Sequence, residues 1–154
     1  MKTKITSVEN HIKSRYVAFK IIKKIIIKKN MLDSALKHEQ SFIALEARDR
    51  SFVRLIISQF LRRNGQAEKI LKMHVKKFPN NYIKIILKIG IIQLLFLDTH
   101  DHAVVDTSVN LTKKIGLRNY VSFVNAVLRK IALNKEVLKN VTKINENFSS
   151  IFLK

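Results

Sequence analysis

Residues 91–131 read IIQLLFLDTHDHAVVDTSVNLTKKIGLRNYVSFVNAVLRKI. Three helical patterns follow one another here with little between them. The first closes at Leu97, the second opens at Asp101 and stops at Gly116, and the third carries Tyr120, Val124, Val127, Leu128 and Ile131 on one stripe. A helix turns about 100° per residue, so this spacing is the buried face of an amphipathic helix. Gly116 suits the left-handed position that ends a helix.

The same reading extends over the whole chain. Ser7 caps a first helix running to about Lys29, whose apolar arc is Val17, Ala18, Ile21, Ile22 and Ile25, with Tyr16 and Phe19 off its centre. Asp33 or Ser34 caps a short second helix carrying Ala35, Leu36, Phe42 and Leu45. A third covers 48–63 with Phe52, Val53, Leu55, Ile56, Phe60 and Leu61 inward, and Asn64-Gly65 stops it. A fourth covers 66–77, and Asn81 caps a fifth over 82–97, on which Lys84 and Lys88 mark a wet face. Gly90 reads as a close-packing point. The sixth and seventh occupy 101–115 and 118–133, and a weaker eighth lies near 135–146. The expectation is an all-α fold: one compact bundle of seven to eight helices over 1–147 with a short tail, 148–154. Only 3 Gly and 1 Pro in 154 residues favour long helices with short links.

Thirty Lys plus Arg stand against 11 Asp plus Glu, a net charge of +19. AT-rich coding accounts for Lys replacing Arg, but not for the scarcity of acids. Such a surface favours nucleic acid or anionic membrane. There is no Cys, which excludes disulfides, Cys-ligated zinc and a thiol nucleophile, and fits a cytoplasmic protein. The start lacks a signal-peptide core, and the run Ile89–Leu97 is too short for a bilayer span of about 20 residues.

On the first helix Lys13, Lys20 and Lys24 cluster away from the apolar arc, flanked by Lys23 and Lys28. They read either as a track for an RNA backbone or as a solvated face. Arg15 projects toward the apolar arc and needs a partner, for which Asp49 is the candidate; the other reading puts its guanidinium at an RNA-facing edge. His100 and His102 with Asp98, Asp101 and Asp106 suggest a metal site only superficially, since Asp at a helix start caps and complements the dipole. No metal, cofactor or catalytic residue is assigned: His11, His38 and His74 lack a triad-like setting, and Gly65, Gly90 and Gly116 form no phosphate loop. The Lys-and-Ile helix 12–29 also suits a membrane surface, although a packed bundle helix suits the pattern better.

Four segments together resemble the NusB-like RNA-binding domain family over about residues 13–133. They are Arg15-x-x-Ala18 with Ile21 and Ile22; Asp49-Arg50-x-Phe52 with Phe60-Leu61-Arg62; Gln93-Leu94-Leu95-Phe96-Leu97-Asp98 with His102-Ala103-Val104-Val105-Asp106-x-Ser108-Val109; and Phe123-Val124-Asn125-Ala126-Val127-Leu128-Arg129. The family includes free-standing antitermination factors and the N-terminal domain of RsmB-type ribosomal RNA 5-methylcytosine methyltransferases. The last two segments look closer to the RsmB-type branch. Thr99-His100-Asp101 replaces a frequent Pro, and the start is Lys-rich where free NusB has an Arg-rich arm.

The resemblance implies a non-catalytic module that docks on ribosomal or precursor RNA, without the methyltransferase domain that accompanies it in the RsmB-type branch. It places the start of the seventh helix on the RNA side. Phe123 lies about 100° from that helix's stripe, with Asn119 and Lys130 on the same flank. It suits either base stacking or a widened core. Asn125 and Arg129, with Asp49, Arg62 and His102, read as structural or partner-facing. One alternative is a NusB-type antitermination factor binding leader RNA with a small-subunit ribosomal protein. Another is an interaction protein whose groove takes a partner helix. Monomer and homodimer both remain open.

Overall fold

The computed structural model describes the backbone of residues 2–78 and 80–152, and side chains at 9, 11–78 and 80–144. Among the described residues there are eight α-helices and no strand: α1 Lys2–Ile26, α2 Leu32–His38, α3 Gln40–Ile43, α4 Ala47–His74, α5 Asn81–Phe96, α6 Asp101–Lys114, α7 Val121–Leu133 and α8 Lys135–Phe152. A 3₁₀ turn, Arg118–Tyr120, leads into α7.

The bundle is arranged around α5. Asn80 caps it, its Oδ1 accepting from the Tyr82 N–H at 2.7 Å. Every residue from Ile85 to Leu95 is buried. A helix that is apolar on all sides belongs in the middle of a domain, and α1, α4, α6, α7 and α8 all touch it. Gly90 sets the approach of α7. A Cβ there would stand 2.7 Å from Leu128 Cδ2 and 3.0 Å from Cδ1, and Leu128 is itself fully buried.

Gly116, at φ +82°, ends α6 in a Schellman turn. The Leu117 N–H donates to the Thr112 carbonyl at 3.1 Å and the Gly116 N–H to Lys113 at 3.0 Å. At the other end of this segment α5 closes at Asp98, φ +49°, a conformation Asp tolerates better than most residues. The Thr99 N–H there reaches back to the Gln93 carbonyl at 3.1 Å.

Several expectations are corrected. Ser7 lies inside α1, which begins earlier and ends at Ile26. Phe19 is core, 2% exposed. Met31, not Asp33 or Ser34, precedes α2. The break expected at Asn64-Gly65 falls one residue earlier, as a kink at Arg63 (φ −111°, ψ 15°) where two helical stretches meet within α4, the second running to His74. Ala67, Ile70 and Leu71 bury the stretch beyond the kink. Leu55 and Leu61 face solvent, because Val53, Ile56, Ile57 and Phe60 already complete the inward stripe. Asn80, not Asn81, is the cap of α5. Lys88 is buried: its Nζ donates to Asn64 Oδ1 at 2.8 Å and pairs with Glu68. The helix expected near 135–146 runs on to Phe152; Leu153, Lys154 and the side chains of the expected tail lie outside the described residues.

Gly90→Ala tests the α5–α7 contact. The gain in helix propensity is about 1 kcal/mol, whereas overpacking a filled core costs about 1–3 kcal/mol. Net destabilisation in urea unfolding is expected, and Leu128→Ala in the same chain should relieve the clash. Strictly additive losses in the double variant would show that the two side chains do not meet.

Candidate nucleic-acid interface

The α1 lysines do not behave as one free row. Lys20 and Lys24 converge on Glu39, at the α2–α3 junction. Lys20 Nζ lies 3.1 Å from its Oε1 and Lys24 Nζ 2.6 Å from Oε2. Ser41 Oγ donates to Oε1 at 2.6 Å. Glu39 is only 7% exposed. Burial alone would raise its pKa, but hydrogen bonds from Lys24, Ser41 and Lys20 outweigh it and hold the carboxyl down at about 2. Lys13 is exposed, and so is Lys28, which falls beyond the end of α1.

Beside this cluster the cations lie against rings. Tyr16 is flanked by Lys20 Nζ at 4.7 Å from the ring centre and by Lys114 Nζ, from the end of α6, at 5.0 Å. Lys23 Nζ stands 5.4 Å from the ring of Tyr82 and 5.8 Å from that of Phe19. Those two rings meet edge to face at 6.2 Å. Two shallow hollows, of about 480 and 280 Å³, both include Tyr16, Lys20 and Lys114. Lys13 borders the first, and Lys23 and Tyr82 the second. A half-buried ring between cations offers a π-face to a base and ammonium groups to the adjoining phosphates.

Arg15 points inward as expected, but to a different partner. It is 5% exposed, its Nε donates to Gln93 Oε1 at 2.8 Å and its Nη1 to the His11 carbonyl at 3.0 Å. The guanidinium lies 5.0 Å from the centre of the Phe52 ring. Asp49 lines a separate hollow together with Arg15, His11 and Phe52 without pairing with the guanidinium. Desolvation without a carboxylate lowers the Arg15 pKa to about 10. Arg50, in the same motif, donates to the Leu45 and Ile43 carbonyls and closes the turn into α4.

On the α7 side, Asn119 and Lys130 are exposed, and Phe123 is half-buried against the core. No hydrogen bond, ion pair or cation–ring contact joins these three to the α1 lysines among the described residues. Arg62, His102 and Arg129 are exposed, and Asn125 is half-buried. Asp98 and Asp101 are held by Lys139 and Lys135 of α8, at 2.7 and 2.8 Å. Sequence reasoning missed Glu39, Tyr82 and Lys114 and gave Tyr16 no role. Each acts across elements, so no local spacing marks it; the only signal was Lys113-Lys114 just before the stop at Gly116.

A carboxyl with a depressed pKa stabilises the fold above its unfolded value, near 4.5, and loses that contribution as pH falls toward 2. Glu39→Gln should therefore be less stable than the parent at pH 6, and the gap should narrow by pH 3. Parallel urea midpoints at the two pH values would contradict the Lys20–Glu39–Lys24 arrangement.

The family model described as "NusB family" matches residues 12–133. No curated protein matches the chain. Among solved structures, one described as antitermination factors NusB and NusE in complex with dsRNA superposes with a TM-score of 0.72 at 19% identity, covering 80% of this chain and 96% of that one. Another, described as a plectonemic RNA supercoil, gives a TM-score of 0.72 at 20% identity, covering 79% and 93%. At these identities the superpositions establish the fold, while the family match spans α1 through α7. This chain belongs to the NusB family.

Proposed function

We propose that this protein is a non-catalytic RNA-binding module that engages ribosomal or precursor RNA through its basic helical surface. The observation that carries the reading is Tyr16, held between Lys20 and Lys114, with exposed Lys13 beside it and Lys23 over Tyr82. The solved NusB–NusE complex that shares the fold holds double-stranded RNA, which supports RNA as the polyanion. Asn119, Phe123 and Lys130 form a second, separate contact strip in this proposal. Lys20 and Lys24 contribute field more than direct contacts, since Glu39 occupies them. Arg15 serves the fold rather than the RNA.

Within the family, the segments around Gln93 and Asn125 favour the RsmB-type branch, whose module works beside a methyltransferase domain. The solved complex with NusE favours the second reading: an antitermination factor that binds leader RNA with a small-subunit ribosomal protein.

Fluorescence anisotropy against a small-subunit ribosomal RNA fragment, a leader RNA and a scrambled control, over a salt series, tests both readings. Preference for the ribosomal fragment at physiological salt supports the first, and preference for the leader supports the second. Equal binding that collapses with salt would leave only counterion release.

Base stacking contributes about 1–3 kcal/mol, and about 1.4 kcal/mol is tenfold. Tyr16→Ala should therefore weaken single-strand binding at least several-fold, while Tyr16→Phe retains it. Lys114→Glu should weaken binding to all three RNAs and flatten the salt slope. Phe123→Ala should reduce binding more than its effect on folding explains. If Tyr16→Ala, Lys114→Glu and Phe123→Ala all bind like the parent, the assigned surface is wrong.

A further inference from the structure

The family match ends at residue 133, and α8 follows the matched segment. One side of it is docked. Leu138 and Thr142 are 3% and 6% exposed, and Lys135 and Lys139 reach Asp101 at the start of α6 and Asp98 in the α5–α6 connection. The other side is apolar and uncovered: Val137 is 65% exposed, Val141 41% and Ile144 58%. At about 100° per residue these three form a single stripe, about 140° around the helix from the docked side. The sequence continues their four-and-three spacing with Phe148 and Ile151, the pattern of a coiled-coil seam; those two side chains lie outside the described residues.

We infer that this stripe is a self-association surface, where α8 pairs antiparallel with α8 of a second copy. Its borders suit that occupant. In a chain of net charge +19, two identical surfaces repel unless the contact is clear of lysine. Here the exposed residues flanking the stripe are Asn134 and Asn140, which are neutral. The nearest exposed charges, Glu136 and Lys143, stand on one shoulder near opposite ends of the described stripe. A two-fold axis close to Asn140 brings Glu136 of each copy toward Lys143 of the other, the self-complementarity that an isologous interface requires. RNA has no purchase on a stripe without cations. Among the described residues no helix is long and apolar enough to cross a membrane.

Sedimentation velocity across a concentration series tests the inference on the full chain. The parent is expected to pass from monomer to dimer as concentration rises. Val141→Asp, at an exposed site, should stay monomeric over the same range with unchanged circular dichroism. As a second probe, Glu136→Lys should raise the dimer dissociation constant a few-fold, and Glu136→Lys with Lys143→Glu should restore it. A parent that is monomeric at every concentration overturns the proposal. So does a dimer that survives Val141→Asp, which would place the contact on another face. Failure of the double charge reversal to restore pairing overturns the antiparallel arrangement.

Discussion

The bundle depends on burying α5 on every side from Ile85 to Leu95 although two residues of that stretch are polar. Gln93 is fully buried and Lys88 nearly so, and each would be costly without partners. Gln93 accepts from Arg15 Nε and donates from its Nε2 to the Ile89 carbonyl at 3.2 Å, which locks α1 onto α5. Lys88 takes Asn64 and Glu68, which locks α4 onto it. The two polar residues fix register where apolar packing alone would let neighbouring helices slide. Gly90, between them in sequence, sets how closely α7 approaches.

Four of the eleven acids tie separate elements together. Glu39 gathers Lys20 and Lys24, and Glu68 gathers Lys84 and Lys88. Asp98 and Asp101 each take a lysine of α8. The seven other acids stand against 24 other Lys and Arg residues. The positive surplus at Lys13, Lys23 and Lys114 is thus a consequence of where the acids are spent as well as of composition. Exposed pairs such as Lys139–Asp98 contribute little stability on their own; they orient α8, and Leu138 anchors it.

The all-α fold, the seventh helix's stripe, the stop at Gly116 and the tight point at Gly90 were legible because each follows from local spacing or one residue's conformational range. The inward turn of Arg15 was legible too. Its partner was not, since Gln93 lies far away in sequence and reads as part of an apolar run. Asn64-Gly65 marked the break in α4 to within a residue, since the kink stands at Arg63. What local propensity did not show is that burial of Ala67, Ile70 and Leu71 starts the second stretch at once, with no loop between. Lys88 misled because helical periodicity places it with Lys84, and only the approach of Glu68 reveals it as buried. The aromatic–cation cluster around Tyr16 draws on α1, α5 and α6 at once, so it exists only after folding.

The two surfaces argued here are opposite in chemistry, and this keeps them separate. The Tyr16 face combines cations with half-buried rings, so in the proposed function it would attract a polyanion at long range and stack bases at short range. The α8 stripe is apolar and bordered by amides, so it gains nothing from a polyanion and is stabilised by removing a like surface from water. α1 packs against α2, α4, α5 and α6, whereas α8 packs against α5 and α7. The shared neighbour α5 is buried from Ile85 to Leu95, and its exposed first turn, with Tyr82, belongs to the Tyr16 face. A second copy on α8 therefore leaves the Tyr16 face open, and pairing of two such modules would present two basic faces to one RNA. The second contact would then form at the effective concentration set by the dimer, and overall affinity would rise without any new contact to a base.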